Sequence, residues 1–229
     1  MITGQLHAMR HLTALTTAVC LVVLLPSGAG AQCTTIGIKG GLNVSTLSVD
    51  DPSDPSLEFD NTTGFLAGAF IQCASAGWFA LQGEVDYSQN GARAQGEDPA
   101  SELSLNYLRV PVLVMARLES GKRTATPILY FGPQVAFETR CQVTTQENGA
   151  SESFDCDSSE LDAPLQTNLV EFGLVFGGGL DILVGGLKMQ LDARYNLGLT
   201  NLNGGTDASV VSVKNRGWSF TVGLGKPFD

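Results

Sequence analysis

The chain has 229 residues, 43% hydrophobic and 16% charged, which suits one domain with a large buried or lipid-facing surface. Its net charge of -10 argues against nucleic acid as a partner, because phosphate recognition needs clustered Lys and Arg. Both histidines, His7 and His11, stand at the extreme N-terminus.

Residues 1–31 read as a leader. Arg10 precedes an apolar stretch from about Leu12 to Leu25, Pro26 breaks it, and Ala29-Gly30-Ala31 supplies small residues at a cleavage point. This is the pattern of a secretory signal peptide. Cleavage after Ala31 is expected, leaving residues 32–229 as the mature domain. The apolar stretch is shorter than the ~20 residues a spanning helix needs. No later stretch approaches that length, so a membrane location has to be reached with strands.

Eight alternating segments follow. Successive side chains of a strand point to opposite faces, so each segment has an apolar and a polar parity. In the first, Ile36, Ile38, Leu42 and Val44 oppose Lys39, Asn43 and Ser45. In the second, Phe65, Ala67, Ala69 and Ile71 oppose Gly64, Gly68 and Gln72, with Leu66 and Phe70 beside them. The third sets Leu81, Gly83, Val85 and Tyr87 against Gln82, Glu84, Asp86 and Ser88. The fourth sets Leu108, Val110, Val112 and Val114 against Tyr107, Arg109, Pro111 and Arg117. In the fifth, Leu129, Phe131, Val135 and Phe137 oppose Tyr130, Gln134 and Glu138. In the sixth, Phe172, Leu174, Phe176 and Leu180 oppose Glu171, Gly173, Gly177 and Asp181. The seventh is the most regular: Leu187, Met189, Leu191, Ala193, Tyr195 and Leu197 alternate with Lys188, Gln190, Asp192, Arg194 and Asn196. The last sets Trp218, Phe220, Val222 and Leu224 against Ser219, Thr221 and glycines. Pro111 and Pro133 fall inside segments four and five and predict local bulges there.

Short turns at 74–77, 119–124 and 184–186 alternate with long polar segments near 48–62, 90–104, 140–167 and 199–214. An even number of ~10-residue alternating strands, with short turns on one side and long loops on the other, describes an all-β protein. The form predicted is an eight-stranded antiparallel up-and-down transmembrane β-barrel. A soluble barrel would turn its apolar face inward. Three features favour the membrane form. Phe65, Phe79, Tyr87, Phe137, Tyr195 and Trp218 gather toward strand ends on the apolar parity, as interfacial girdles do. The polar parity is rich in glycine, which fits a crowded lumen. Phe228 nearly ends the chain on the parity of Trp218 and Phe220. The charged residues Lys39, Glu84, Asp86, Arg109, Glu171, Asp181, Lys188, Asp192 and Arg194 then face the lumen. Eight strands leave an interior that side chains can fill, and unpaired buried charge is costly, so a plugged barrel is expected.

Cys33, Cys73, Cys141 and Cys156 follow the leader, which takes Cys20 with it. An even number in an exported chain permits three pairings. Cys141 with Cys156, flanking one polar segment, is favoured. Cys33 with Cys73, toward the same ends of neighbouring strands, is then left.

An enzymatic role finds little support. Outer-membrane barrel enzymes place a histidine at the site as base, and the mature chain has none. Glu84 and Asp86 are expected to be lumen charge partners. Gly177-Gly178-Gly179 lies mid-strand and lacks the context of a phosphate loop. The long segments are acidic: Asp50, Asp51, Asp54, Glu58 and Asp60 in the first, and Glu147, Glu152, Asp155, Asp157, Glu160 and Asp162 in the third. They read either as solvated loops or as a divalent-cation surface. With no EF-hand spacing, solvated loops are the expectation, and no cofactor or metal is assigned.

The stretches IGIKGGLNVSTLS, GEVDYSQNGAR, LNYLRVPVLV, LYFGPQVAF, GLVFGGGLDI and RYNLGLTNLN resemble the successive motifs of the PorT-like outer-membrane β-barrel family of Bacteroidetes-type bacteria. The resemblance covers nearly the whole mature chain, and the runs around Tyr107–Pro111 and Glu84–Ser88 are its most specific parts. Arg109 stands where that family has an acidic residue, which points to a direct Arg109–Glu84 pair. The resemblance implies an eight-stranded barrel in the outer membrane and no single activity; the named member is linked to protein secretion. Two functions remain open: a monomeric structural or interaction barrel in outer-membrane lipid, meeting a protein partner through its loops, or a narrow channel or accessory component of a transport or secretion system.

Overall fold

The computed structural model describes residues 32–50, 59–74, 78–94, 100–118, 125–147, 150–156, 168–202 and 212–228. The leader and Cys20 lie outside them. Nine strands form: β1 (Gln32–Asp50), β2 (Phe59–Ala74), β3 (Phe79–Ala94), β4 (Ala100–Arg117), β5 (Ala125–Glu147), β6 (Ala150–Asp155), β7 (Val170–Val184), β8 (Leu187–Gly198) and β9 (Ser212–Pro227). All but β6 pair on both sides, in the ring order β1-β2-β3-β4-β5-β7-β8-β9, and β9 returns to β1. Every pairing is antiparallel. The wall is thus a closed eight-stranded barrel in which every strand is hydrogen-bonded to two neighbours. β7 turns into β8 through Gly185 and Gly186, whose φ values of 58° and 82° fit a two-residue hairpin turn that disfavours other residues.

Ile38, Leu42, Phe131, Phe176, Phe220 and Val222 lie exposed on the outer face, while Lys39, Glu84, Asp86, Arg109 and Arg194 are buried within. Aromatic residues bound this apolar band at both ends. Toward the long connections, Phe65 meets Tyr87 with ring centroids 5.6 Å apart and Tyr195 meets Trp218 at 5.2 Å. Toward the short turns, Trp78 meets Phe79 at 6.2 Å.

The strands outrun this band. β1 has 19 residues, β4 has 18 and β5 has 23, against the roughly 9–11 that cross a bilayer. The excess lies at the long-connection end, and there the alternation inverts. Leu47, Ala92 and Leu105 face inward and join Tyr107, Ala136 and Leu202 in a buried apolar cluster, with Val213 packed against it. Thr46, Ser48, Arg93, Glu102, Lys214 and Arg216 take the other parity and are partly or fully exposed. The described parts of the segments 48–62 and 90–104, residues 48–50, 59–62, 90–94 and 100–104, are therefore strand.

The expected third long loop is also more ordered than its composition implies. β5 continues to Glu147, and β6 runs back along it from Gln142↔Asp155 to Glu147↔Ala150. Cys141 is bonded to Cys156 at the base of this hairpin, and Cys33 to Cys73 across β1 and β2.

The prolines do not mark bulges. Pro111 and Pro133 leave gaps in the β3–β4 and β4–β5 ladders, yet the register is the same on both sides of each gap. Lacking an N–H, each removes a ladder bond, while its neighbours hold the alignment. The irregularities fall elsewhere, between Cys33 and Thr35, Asn61 and Leu66, and Asn106 and Tyr107.

A candidate functional site: the bridged lumen

β3 and β8 stand opposite each other in the ring, four strands apart in either direction. Arg194 on β8 spans that diameter. Its Nη1 donates to Glu84 Oε2 at 2.6 Å and its Nη2 to Glu84 Oε1 at 3.1 Å, a two-pronged, charge-assisted contact. Lys39 on β1 donates to the same Glu84 Oε2 at 2.5 Å and lies 3.3 Å from Asp86 Oδ2. Arg194 Nε also reaches Asp192 Oδ1 at 3.1 Å. Asp192 accepts further bonds from the Tyr130 hydroxyl at 2.8 Å and Thr221 Oγ1 at 2.6 Å. The guanidinium of Arg194 sits 5.4 Å from the centre of the Tyr130 ring, within cation–π range. A second bridge on the same diameter joins Gln82 Nε2 to Gln190 Oε1 at 3.3 Å.

Two further groups flank this centre. Toward the short turns, Lys188 pairs with Asp181 and donates to Gln72 Oε1 at 2.5 Å, while Arg117 donates to the same oxygen at 3.0 Å. Toward the long connections, Arg109 donates to Ser88 Oγ and, at 2.9 Å, to Asn90 Oδ1. Buried Glu171 shares with Arg109, Tyr107, Gln134, Asn43 and Asn90 the walls of a polar cavity of about 10 Å³, room for about one water molecule.

All nine charged positions named from the sequence thus lie inside the barrel, but the Arg109–Glu84 pair does not form. Glu84 is taken from across the lumen by Arg194 and from β1 by Lys39. The register sets Arg109 directly beside Asp86, and its guanidinium turns along β3 toward Ser88 and Asn90. A single strand pair cannot show which charge arrives from the opposite wall.

Glycines make room for the large side chains that complete the filling. A Cβ on Gly37 would stand 2.5 Å from the ring of Phe70, and one on Gly177 would stand 2.5 Å from the ring of Tyr130. Below the polar centre, Ala80, Leu113, Met115, Ile128, Tyr130 and Val175 form a second apolar cluster. Charge-based reasoning passed over the neutral members of the network: Gln72, Gln82, Tyr130, Gln190 and Thr221. Their signal was present, since each shares the polar parity of its strand.

Among the described residues, no group of three or more His, Cys, Asp or Glu is placed to hold a metal ion. Of the acidic loop residues, Asp51, Asp54, Glu58, Asp157, Glu160 and Asp162 lie outside the description.

The closed wall, the aromatic-bounded apolar band and the filled polar interior define a small transmembrane β-barrel. The chain belongs to the outer membrane protein beta-barrel domain family, whose sequence model matches residues 31–204; this family places it in the bacterial outer membrane. Among solved structures it is similar to the outer membrane protein OprG from Pseudomonas aeruginosa, with a TM-score of 0.52 at 12% identity over 87% of this chain and 98% of that one. It is also similar to Neisserial surface protein A, with a TM-score of 0.47 at 12% identity over 87% of this chain and 99% of that one. Identities this low speak to the fold alone. Comparison with curated protein sequences gives no match.

Proposed function

We propose that this protein is a non-enzymatic outer-membrane scaffold of the PorT-like kind, with a sealed lumen and its working surface on the rim. In this reading residues 1–31 are removed on export, and residues 32–229 insert as a monomer in outer-membrane lipid. The β5–β6 hairpin and the acidic long connections face the medium and meet a protein partner, without cofactor or nucleic acid. The observation that carries it is the pair of bridges across the full diameter, Arg194–Glu84 and Gln82–Gln190. They set side chains across the lumen between β3 and β8, in the path an ion would take. Glu84 and Asp86, a close carboxylate pair of the kind acid–base chemistry uses, are engaged by Lys39 and Arg194.

Planar-bilayer recording of the purified protein tests the sealed lumen. The expected result is a silent membrane; reproducible unitary steps at low voltage would overturn the scaffold reading in favour of a narrow channel or transport accessory. The orientation is tested separately. An epitope inserted at Gly149 should be labelled on intact cells and one at Gly121 only after lysis; the reverse pattern would place the rim in the periplasm.

A further inference from the structure

On the outer face of β9 the residues run Leu224, Val222, Phe220 and Trp218, then Arg216 and Lys214. The change from apolar to basic falls one step beyond the Tyr195–Trp218 pair, at the level where the alternation inverts. In the lumen Lys39, Lys188 and Arg194 pair with carboxylates, and in the adjoining rim Arg93 pairs with Glu102 at 2.8 Å. Arg216 and Lys214 form no ion pair among the described residues. The Arg216 Nε is shielded from solvent and has no hydrogen-bond partner.

Beside them the β1–β2 backbone ladder ends, and the Thr46 hydroxyl, donating to the Phe59 carbonyl at 3.1 Å, bridges the parting. β1 and β2 pair only as far as Ser45↔Thr62, although β1 continues to Asp50 and β2 begins at Phe59. Beyond that point β1 pairs with β9 alone, setting Thr46 beside Arg216 and Ser48 beside Lys214. The parting and the neighbouring face of β9 make a groove of about 570 Å³, lined by Thr46, Ser48, Asn61, Tyr195, Arg216 and Trp218. Its lower wall is aromatic and stands in the apolar band. Its upper wall carries the Arg216 guanidinium and the Ser48 hydroxyl among Leu47, Val49 and Phe59, and Lys214 adjoins it as the register partner of Ser48.

We infer that this groove is a binding site for a phosphorylated lipid of the outer leaflet. An acyl chain lies along Trp218 and Tyr195, and the phosphate is held by Arg216, with Lys214 adding charge from the adjoining position and the Ser48 hydroxyl in the same row; the Thr46 hydroxyl is already donated to the Phe59 carbonyl at 3.1 Å. Charge complementarity selects this occupant. The site is cationic in a chain of net charge -10, and it sits where a lipid headgroup meets the barrel. A guanidinium offers phosphate two parallel donors and a nearby ammonium adds charge, while an aromatic girdle seats the adjoining chain.

The inference rests on the orientation proposed above, which the epitope labelling tests independently. The direct test uses the purified full-length barrel in neutral detergent, with binding followed by native mass spectrometry. The probes are diphosphorylated lipid A, the same lipid after enzymatic removal of its phosphates, and inorganic phosphate. The expected result is retention of the phosphorylated lipid, with weaker retention of the dephosphorylated form and none of inorganic phosphate. Combined Arg216→Gln/Lys214→Gln should weaken retention roughly 30-fold, since each cation near a membrane surface contributes about five-fold. The variant should keep heat-modifiable mobility on a gel, because both side chains point away from the lumen. Equal retention of the two lipid forms, unchanged retention by the variant, or tight binding of inorganic phosphate alone would each overturn the inference.

Discussion

Inside the apolar band the barrel is polar within and apolar without; in the rim above it, the same strands are apolar within and polar without. On β1 the inward residues run Lys39, Asn43 and Ser45, then Leu47, while the outward ones run Ile38, Leu42 and Val44, then Thr46 and Ser48. On β9 the inward Ser219 gives way to Val213, and the outward Trp218 to Arg216 and Lys214. The backbone ladder runs through the change without a break in the β1–β9 register. What differs is the solvent outside. Against lipid, the outer face gains nothing by being polar, and the interior is held by charge pairs and hydrogen bonds between its polar side chains. Against water, burying apolar side chains inside is favourable again. One sheet therefore carries two cores built on opposite rules.

The comparison breaks most sharply at Arg194. Arg194→Leu leaves Glu84 and Asp192 without their shared cation deep in the band, and it should cost on the order of 3–5 kcal/mol. Unfolding followed by heat-modifiable gel mobility in a urea series reads this directly. Adding Glu84→Leu should recover part of the loss; strictly additive costs would mean the bridge is incidental to stability.

In the rim core the expected cost has a different origin. Leu105→Ala removes buried apolar volume among Leu47, Ala92, Tyr107 and Leu202 and should cost about 2–5 kcal/mol. Leu108→Ala, on the lipid-facing parity of the same strand, should cost clearly less, because lipid refills the space. Equal costs in the same urea series would show that the interior of the rim does not behave as a hydrophobic core.

The outer face allows a finer cut. Val222→Arg sets a cation in the apolar band and should cost about 2–4 kcal/mol. Ser48→Arg, in the rim, should fall within about 0.5 kcal/mol of the parent, as surface exchanges do. If the Ser48 variant is equally damaged, the lipid boundary lies higher than the inversion of the pattern places it.

The smallest effect on the barrel is expected at the hairpin. Cys141→Ser/Cys156→Ser opens a bridge between residues 15 apart in sequence, which a chain-entropy argument values at roughly 3 kcal/mol for the hairpin itself. The wall does not depend on it, since β5 remains paired with β4 and β7. Insertion and gel mobility should be unchanged, while limited proteolysis should cut more quickly between Cys141 and Cys156. Loss of insertion would show that the rim hairpin helps to close the barrel.

Much of this design is written in the chain one strand at a time. Parity along residues 187–198 and 218–224 told lumen from lipid, the rhythm of turns told antiparallel neighbours, and the nine charged positions were assigned to the interior because a period of two leaves no other face for them. Cysteine spacing favoured the Cys141–Cys156 pairing for a similarly local reason. The ends of the strands were not legible as a continuation, because the hydrophobic phase reverses at residues 45–47 on β1 and around Asn90 on β3. A pattern followed at fixed phase reads that reversal as a loop. β6 escaped for a related reason: ASESFD is polar and carries little strand signal, and it takes its form from pairing with β5.

By itself, then, the sequence determined which face of each strand meets lipid and that the interior must be filled, since alternation and buried-charge cost act within a single strand. Only the closed ring decided who meets whom. Arg194 and Glu84 stand 110 positions apart in the chain and on opposite walls, and their contact exists because eight strands close at a diameter that one arginine can span. Arg109 lost the partner its own hairpin neighbourhood implied, because charges arriving from across the lumen compete on distance, and sequence separation has no bearing on that.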